Sequence, residues 1–479
     1  MKIESVPELN RKKVIILGGG ISGLSSAFYL KKRLPSCEIQ LWEKQNRIGG
    51  VLETIHLDGF QIERSADNFI SDVPWGIELC RELGLIDQLA QTDSRYRRTC
   101  VVRRQKLYAL PDGFMMMAPT KLWPFAFSPL LSPFGKMRAA LELFLPRKHF
   151  DDETMAHFVK RRLGTETFNR IVEPMVSGIY AGDADRLSVQ ATLPRFPKME
   201  QDYRSLILAM RKRQKMGRQI VRDEQSGARY SFFVTLKRGL SHFIETLGRH
   251  LPPESIHLNR EVCSIQKISE NGQDHWLLTD QKGFSEKADA IISALPSQQF
   301  ANLINNSAPK IGKLLGQVEH TGTAVITLGY KNEQIGFKIC EMGFVVPKIE
   351  KSPIIAGSFS SHKYPHRAPQ GTTLLRFFAG GARVPELAFL PDDQLISLVL
   401  KEAEQLLKIK GEPLVVDVAK WADTMPQYYI GHLEMLRQLD QELKKFPTLA
   451  IAGNATRGVG IPACIKSGID AADRITAIL

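Results

Sequence analysis

The stretch Val14-Ile15-Ile16-Leu17-Gly18-Gly19-Gly20-Ile21-Ser22-Gly23 decides how the rest of the chain is read. A short apolar run enters a G-x-G-x-x-G turn, and Leu24 to Arg33 beyond it carry a helical apolar pattern. Glu38-Ile39-Gln40-Leu41-Trp42-Glu43 then reads as a second strand, completing a βαβ opening. In that setting Gly18 permits a tight turn, Gly20 lets backbone amides approach a pyrophosphate, and Gly23 lets the helix pack close on the strand. Ile21 and Ser22 begin the helix, where free N–H groups and the dipole favour an anion. Glu43, at the end of the second strand, is placed to accept hydrogen bonds from a ribose.

The other half of this motif lies at the far end of the chain. Ala450-Ile451-Ala452-Gly453-Asn454 is followed by Gly458-Val459-Gly460-Ile461-Pro462, a second strand-to-glycine turn. Two such turns imply one cofactor domain assembled from both termini, with everything between them inserted. A chain of 479 residues has room for two or three domains, and 43% hydrophobic with 24% charged residues is ordinary globular composition. Residues 136–144 and 153–163 read as helices in a Pro-rich, basic and aromatic region. Strand-like segments return at 255–268, 276–279, 288–294 and 323–382, and 392–408 reads as an amphipathic helix.

Charge narrows the partners. The balance of 64 Lys+Arg against 51 Asp+Glu, a net +13, favours nucleic acid, a membrane surface or an acidic small molecule. No nucleic-acid recognition module is legible, so nucleic acid is not expected. Six scattered cysteines form no C-x-x-C pair, which argues against a zinc site or a disulfide framework, and no metal is expected. Residues 1–10 lack the apolar core of a signal peptide, which points to the cytoplasm. Leu122 to Phe134 (LWPFAFSPLLSPF) is apolar but short and broken by three prolines, suited to a membrane surface or a pocket wall rather than a span. Arg211-Lys212-Arg213-Gln214-Lys215, with Arg218 and Arg222, follows apolar Leu206 to Met210 and reads as a basic amphipathic helix. Together these predict peripheral contact with an anionic membrane, at the inner face of the cytoplasmic membrane.

Glu43-Lys44-Gln45-Asn46-Arg47-Ile48-Gly49-Gly50 extends the first motif to E-x-x-x-R-x-G-G. This resembles glutathione-reductase-type FAD proteins, where the Arg and the Gly pair serve the diphosphate, and it favours FAD over NAD. Lys44, Arg47, Gly49 and Gly50 join Gly18 to Gly23 and Glu43 as candidates on that ground. Ala288 to Pro296 resembles the internal strand of such proteins, and Glu261-Val262 their adenine-side strand.

Glu173-Pro174-Met175-Val176-Ser177-Gly178-Ile179-Tyr180-Ala181-Gly182-Asp183 closely resembles the signature of the protoporphyrinogen and coproporphyrinogen III oxidases of haem synthesis. Further matches at 235–247, 359–369, 378–383, 425–433 and 453–468 run through most of the chain in family order. The resemblance implies an α/β fold: a glutathione-reductase-type FAD-binding Rossmann domain (1–86, 230–296 and 440–479), an inserted mainly helical, membrane-contacting domain (87–200), and an antiparallel-sheet substrate domain (201–229 and 297–439). It implies Asp67, Asn68, Phe69, Val262, Trp421, Gly453, Asn454, Gly460, Ile461 and Pro462 at the FAD. Arg98 becomes the propionate partner within the run Arg95, Arg97, Arg98, Arg103, Arg104 and Lys106. Gly178 lets backbone approach a pyrrole, with Val345 and Phe378 as walls of the macrocycle. Arg64-Ser65-Ala66-Asp67 departs from the family, which usually has Gly-Pro where Ser65-Ala66 stand.

The implied reaction is FAD-dependent, six-electron oxidation of protoporphyrinogen IX to protoporphyrin IX, with O2 as acceptor and H2O2 released. No separate catalytic residue is assigned, because such chemistry is carried mainly by the cofactor. Coproporphyrinogen III, with four propionates instead of two, is the alternative substrate, and the stretch 458–465 leans that way. An amine oxidase or a carotenoid desaturase is more remote. Hand-over of product to a ferrochelatase belongs to the same picture, with monomer and homodimer both open.

Overall fold

The computed structural model describes residues 11–96, 98–212, 232–270 and 272–479. Arg97 and the Arg213 to Arg222 part of the second basic run lie outside them.

The apolar run Lys13–Leu17 is buried on both faces, so it shows no alternation. It is the centre of a five-stranded parallel sheet in the order Ile256–His257, Glu38–Trp42, Lys13–Leu17, Ala290–Ser293, Leu449–Ile451. The strands therefore come from both ends of the chain and from its middle. Helices Ile21–Arg33 and Ile461–Thr476 lie on one face, packed so closely that a Cβ on Gly468 would sit 2.5 Å from the Ser22 carbonyl oxygen. Helices Ser297–Ile304, Pro309–Gly316 and His432–Leu443 cover the other, burying Phe300, Leu315 and Met435 against Ile15, Leu17 and Ile291. The carboxyl ends of three adjacent strands lead into Gly18, Ala294 and Ala452, the edge at which open parallel sheets bind ligands.

The expected strand over 255–268 is two. Ile256–His257 joins the parallel sheet, and Val262–Glu270 pairs antiparallel with Gln273–Asp280. Asn259 between them adopts a left-handed conformation (φ 54°), which turns the chain out of the first sheet.

The second sheet has seven strands in the order Val415–Pro426, His320–Lys331, Thr372–Gly380, Ile354–Phe359, Gly343–Val345, Thr99–Arg103, Lys106–Ala109. Its pairings are antiparallel except that Gly343–Val345 runs parallel to Thr99–Arg103. Helix Asp392–Leu407 packs Leu395, Val399 and Ala403 into the same core as Ile326, Leu328 and Phe377 on one face. The opposite face, carrying Val325, Ala356 and Phe378, remains for the site.

Residues 87–200 are not purely helical. They supply the last two strands at one edge of the large sheet before turning into the helices Pro133–Ala140, Met155–Leu163, Glu173–Tyr180 and Arg195–Tyr203. The reason is local: Thr99–Arg103 and Lys106–Ala109 flank a two-residue turn at Arg104 and Gln105, both with positive φ, the geometry of a tight hairpin. The expected helix over 136–144 begins earlier, with Ser132 capping it through the Gly135 amide and Pro133 opening it. Inside this unit Arg162 is buried against Glu142 and Glu200, while Arg161 bridges Glu153 and Glu200 at 2.6 Å each. Among the described residues no helix is long and apolar enough to cross a membrane.

Candidate functional site

The glycine turn sits at the carboxyl edge of the parallel sheet and is held from several sides. The Gly18 amide donates to the Trp42 carbonyl at 2.8 Å. Gly18 itself has φ 99°, open to glycine and strained for other residues. The buried Glu43 carboxylate accepts from the Gly19 amide at 2.7 Å and the Gln45 amide at 2.8 Å, which fixes it at the end of its strand with lone pairs to spare. Gly49 donates to the Gly19 carbonyl at 2.8 Å, and Gly20 and Gly49 form a parallel bridge, so the E-x-x-x-R-x-G-G turn lies directly against the first loop. Arg47 is half-buried, folds back onto its own turn and donates to the Gly50 carbonyl at 2.7 Å. Lys44 is exposed.

The C-terminal turn closes the same edge. Gly453 has φ 123° and donates to Ser467 Oγ at 2.9 Å, and the Asn454 side-chain amide reaches the Thr424 carbonyl at 3.2 Å. Gly460 then caps the helix that begins Ile461-Pro462. Phe69 packs beside Gly76 and Pro462: a Cβ on Gly76 would lie 2.8 Å from the Phe69 ring and 3.5 Å from Pro462. Trp421 Nε1 donates to the Arg64 carbonyl at 2.7 Å, and Asn68 donates to the Asp67 carboxylate at 2.8 Å. Neither Ser65 nor Ala66 has positive φ, so the departure at these two positions needs no glycine. Val262 opens its strand two residues after Arg260, whose amide donates to the Glu43 carbonyl at 2.9 Å, and is buried with Leu17, Trp42 and Ile265.

These residues fit a dinucleotide. Beyond Gly20 and Gly453 nothing lies within 4 Å of where a Cβ would be, and a Cβ on Gly50 would meet only Gly20. A phosphate could therefore approach bare backbone amides at a helix N-terminus, with a buried carboxylate one strand away for a ribose.

The second wall of the site comes from the sheet and the helix Glu173–Tyr180. A Cβ on Gly178 would lie 3.2 Å from Val345 Cγ1 and 3.9 Å from Ala356, so helix and sheet are at contact distance there. Val345 pairs with Ala356, and Ala356 with Phe378, which places the three in one row. Val345, Phe378, Met175, Tyr429 and Val459 belong to one apolar cluster, and Val459 carries the cofactor turn into it. Arg98 lies outside that wall. Its side chain is 54% exposed, with Glu341 at 3.8 Å, at the start of the strand whose Val101 pairs with Val345. Arg95 is paired with Asp93, and Arg104 and Lys106 are exposed.

Three sets of residues escaped the sequence reading. Buried Glu173 binds Arg383, accepts from Ser177 Oγ at 2.9 Å and from the Lys348 amide at 3.0 Å, and Arg383 donates to the Val346 carbonyl at 2.8 Å. This ties the Gly178 helix to the strand of Val345. Tyr428 donates to the Asn454 carbonyl and accepts from the Gly458 amide at 2.8 Å, while His432 stacks on its ring at 4.2 Å and meets the Thr456 carbonyl at 3.0 Å. Burial pushes the Tyr428 hydroxyl up and the His432 imidazole down, so both are neutral clamps on the C-terminal turn. Lys363, Arg367 and Arg376 converge on Asp67. Burial alone would raise that carboxyl, but Lys363, Arg376 and Arg367 outweigh it and hold it well below the usual range. All three sets fall in segments matched to the family, at 173–183, 359–369, 378–383 and 425–433, or close beside them, which was the available signal.

A family model described as flavin containing amine oxidoreductase matches residues 21–476. The coproporphyrinogen III oxidase of Bacillus subtilis (strain 168) is 34% identical over 466 residues, covering 96% of each chain. The chloroplastic protoporphyrinogen oxidase of Nicotiana tabacum is 27% identical over 481 residues, covering 97% of this chain and 85% of the relative. A solved structure assigned as a protoporphyrinogen oxidase from Exiguobacterium sp. 255-15 superposes with a TM-score of 0.85 at 29% identity, covering 98% of this chain and 100% of the other. A reduced UDP-galactopyranose mutase, at TM-score 0.71 and 14% identity, shares the fold alone. The chain is an FAD-dependent oxidoreductase that belongs to the flavin containing amine oxidoreductases and, within them, to the protoporphyrinogen and coproporphyrinogen III oxidase group.

Proposed function

We propose that the protein oxidises a porphyrinogen to the porphyrin in haem synthesis, with coproporphyrinogen III as preferred substrate. FAD, when bound, supplies the two-electron acceptor that O2 regenerates. The chain's part is orientation and exclusion of water. Gly178, Val345 and Phe378 offer an apolar wall against the flexible macrocycle, and the Glu173–Arg383 pair fixes the spacing between its two sides. Gly18 to Gly23, Glu43, Arg47, Gly49 and Gly50 hold the dinucleotide, and Gly453, Asn454, Gly460, Ile461 and Pro462 close over its other end. Asp67 to Phe69 and Trp421 line the loop between them.

The observation that carries the choice of substrate is the position of the arginine-bearing hairpin. Arg98, Arg104 and Lys106 stand at the outer edge of the sheet whose next strand carries Val345, so carboxylates on a macrocycle lying against Val345 would meet cations at the rim. A substrate with four propionates uses such a rim more fully than one with two. The relatives named coproporphyrinogen III oxidase, at 34%, 30% and 31% identity, point the same way. Protoporphyrinogen IX, the leading expectation from sequence, is the second reading, favoured by the plant relatives and by the Exiguobacterium structure. The test is aerobic turnover of each porphyrinogen by FAD-loaded protein, followed by porphyrin fluorescence. A kcat/KM at least about tenfold higher for coproporphyrinogen III is expected. Preference for protoporphyrinogen IX favours the second reading, and no turnover of either ends both.

Location is part of the proposal. Trp123, Phe127, Phe134 and Phe144 are 75%, 77%, 78% and 75% exposed, with exposed Lys121, Arg147 and Lys148 near them in sequence. Aromatic rings with cations nearby suit the interface of an anionic bilayer. Co-sedimentation with phosphatidylglycerol vesicles at low salt is the expected result, and loss of it in a Trp123→Ser/Phe127→Ser variant assigns it to this patch.

A further inference from the structure

The turn between Gly453 and Gly460 is held by side chains from outside it. Its helix Asn454–Arg457 has four residues and lies between Gly453 at φ 123° and Gly458 at φ 140°. A helix that short adds little stiffness of its own. Ser467 Oγ and the Thr424 carbonyl fix the start of the turn. Its middle and end hang on two buried rings stacked 4.2 Å apart: Tyr428 meets Asn454 and Gly458, and His432 meets Thr456.

The backbone that carries those rings is fixed by the helical unit. Residues 427–431 run beside residues 186–188, with the Ser188 amide donating to the Tyr428 carbonyl at 2.8 Å, the Ile430 amide to the Arg186 carbonyl at 3.3 Å, and Leu187 bridging Tyr429. Residues 153–155 line the other side of the same strip. There the Met155 amide donates to the Leu187 carbonyl at 2.7 Å and the Val189 amide to the Glu153 carbonyl at 3.0 Å. Asp152 joins all three segments. One of its carboxylate oxygens accepts from Ser188 Oγ and the other from the Gly431 amide at 3.0 Å. Ser188 gives its own amide to Tyr428, and Gly431 directly precedes His432, the first residue of its helix. A single carboxylate thus sets the backbone on which both rings stand.

Hydrogen bonds to an ionised carboxylate are shorter and stronger than neutral ones, so Asp152 fixes this junction more firmly than the amide pairs around it. A plain latch between the helical unit and the rest of the chain would serve wherever the two touch. Asp152 instead bonds beside the two positions whose side chains end on the cofactor turn. We infer that Asp152 is a positioning residue for the cofactor: through Ser188, Gly431, His432 and Tyr428 it sets the turn 453–460, which couples the seating of the helical unit to the hold on FAD. This rests on the placement of FAD at that turn proposed above. The coupling is reciprocal, so what Asp152 contributes to FAD binding returns as ordering of the segments around Asp152 when FAD binds.

Two measurements test this, and neither needs a porphyrinogen. The first is the rate at which FAD leaves the loaded protein on dilution, read from the rise in flavin fluorescence. Asp152→Ala should quicken release at least about fivefold. Asp152→Asn, which keeps an acceptor for the Gly431 amide and offers a donor to Ser188 Oγ, should stay within about twofold of wild type. Ser132→Ala, which removes the cap of helix Pro133–Ala140 in the same unit, should lower the melting temperature and leave release unchanged. Release from Asp152→Ala within about twofold of wild type, or release from Ser132→Ala as fast as from Asp152→Ala, would make Asp152 a structural latch and overturn the inference. The second is amide hydrogen exchange of the full wild-type chain with and without FAD, which decides the matter even if Asp152→Ala does not fold. FAD should slow exchange at 453–460, at 428–432 and also at 150–156 and 186–190. Slowing that reaches 453–460 but not 150–156 and 186–190 would overturn the inference. No slowing at 453–460 would instead overturn the FAD placement on which it rests, a separate failure.

Discussion

Gly23 shows how little tolerance the cofactor turn has. A Cβ there would fall 1.9 Å from the Gly18 carbonyl oxygen, inside any allowed contact, so helix and strand would have to separate. Gly23→Ala is expected to cost about 3 kcal/mol and to leave purified protein largely without FAD, read from the ratio of flavin to protein absorbance. His432 gives a test of a different kind. Burial holds its imidazole below the ordinary histidine range, so the unfolded chain takes up more protons as pH falls through that range, and folding weakens on acidification. The melting temperature of wild type should therefore fall more steeply between pH 7 and pH 5 than that of His432→Asn. At this scale the glycines were legible, because G-x-G-x-x-G between a strand and a helix has one physical use. The partners of Asp67 were not, since Lys363, Arg367 and Arg376 lie some 300 residues along the chain, beyond the reach of any local spacing.

The helix Glu173–Tyr180 is the element on which the substrate wall depends. It follows a π-helical turn, Phe168–Val172, which takes up the lost hydrogen bond and ring bulk of Pro174 without ending the helix. Its start is tied by Glu173 to Arg383 and the Lys348 amide. Its end is tied by Ala382 donating to the Ala181 carbonyl at 2.6 Å and by Gln427 donating to the Tyr180 carbonyl at 3.1 Å. Glu173→Ala would leave Arg383 buried without its carboxylate and is expected to cost about 3–5 kcal/mol in urea unfolding, with Glu173→Gln costing less. Gly178→Val puts a branched side chain where a Cβ alone would already lie 3.2 Å from Val345 Cγ1, so it is expected to cost about 1–3 kcal/mol in urea unfolding and to raise KM at least about tenfold. The helix and its signature were readable in sequence, whereas its anchors joined two matched segments whose contact only the fold reveals. The hairpin Thr99–Ala109 was missed because Cys100, Val101 and Val102, buried on both faces of the sheet, show no alternation, and the arginines around them read as a charge run.

Across the whole molecule, the reading from two distant glycine turns to one parallel sheet held because strand order follows from parallel pairing: each strand must be brought back by a crossover, and the insertions supply it. What composition could not show is that residues 87–200 serve two bodies, the large sheet and the helical unit. Nor could a net charge of +13 distinguish the exposed Arg98, Arg104 and Lys106 from the buried Lys363, Arg367 and Arg376 that meet Asp67. The account's central claim is that this architecture oxidises a porphyrinogen by repeated two-electron cycles against O2. Its most direct test is the ratio of H2O2 formed to porphyrin formed when FAD-loaded protein is given coproporphyrinogen III. Three H2O2 per coproporphyrin III is the predicted result, and absence of porphyrin above the enzyme-free rate would contradict it.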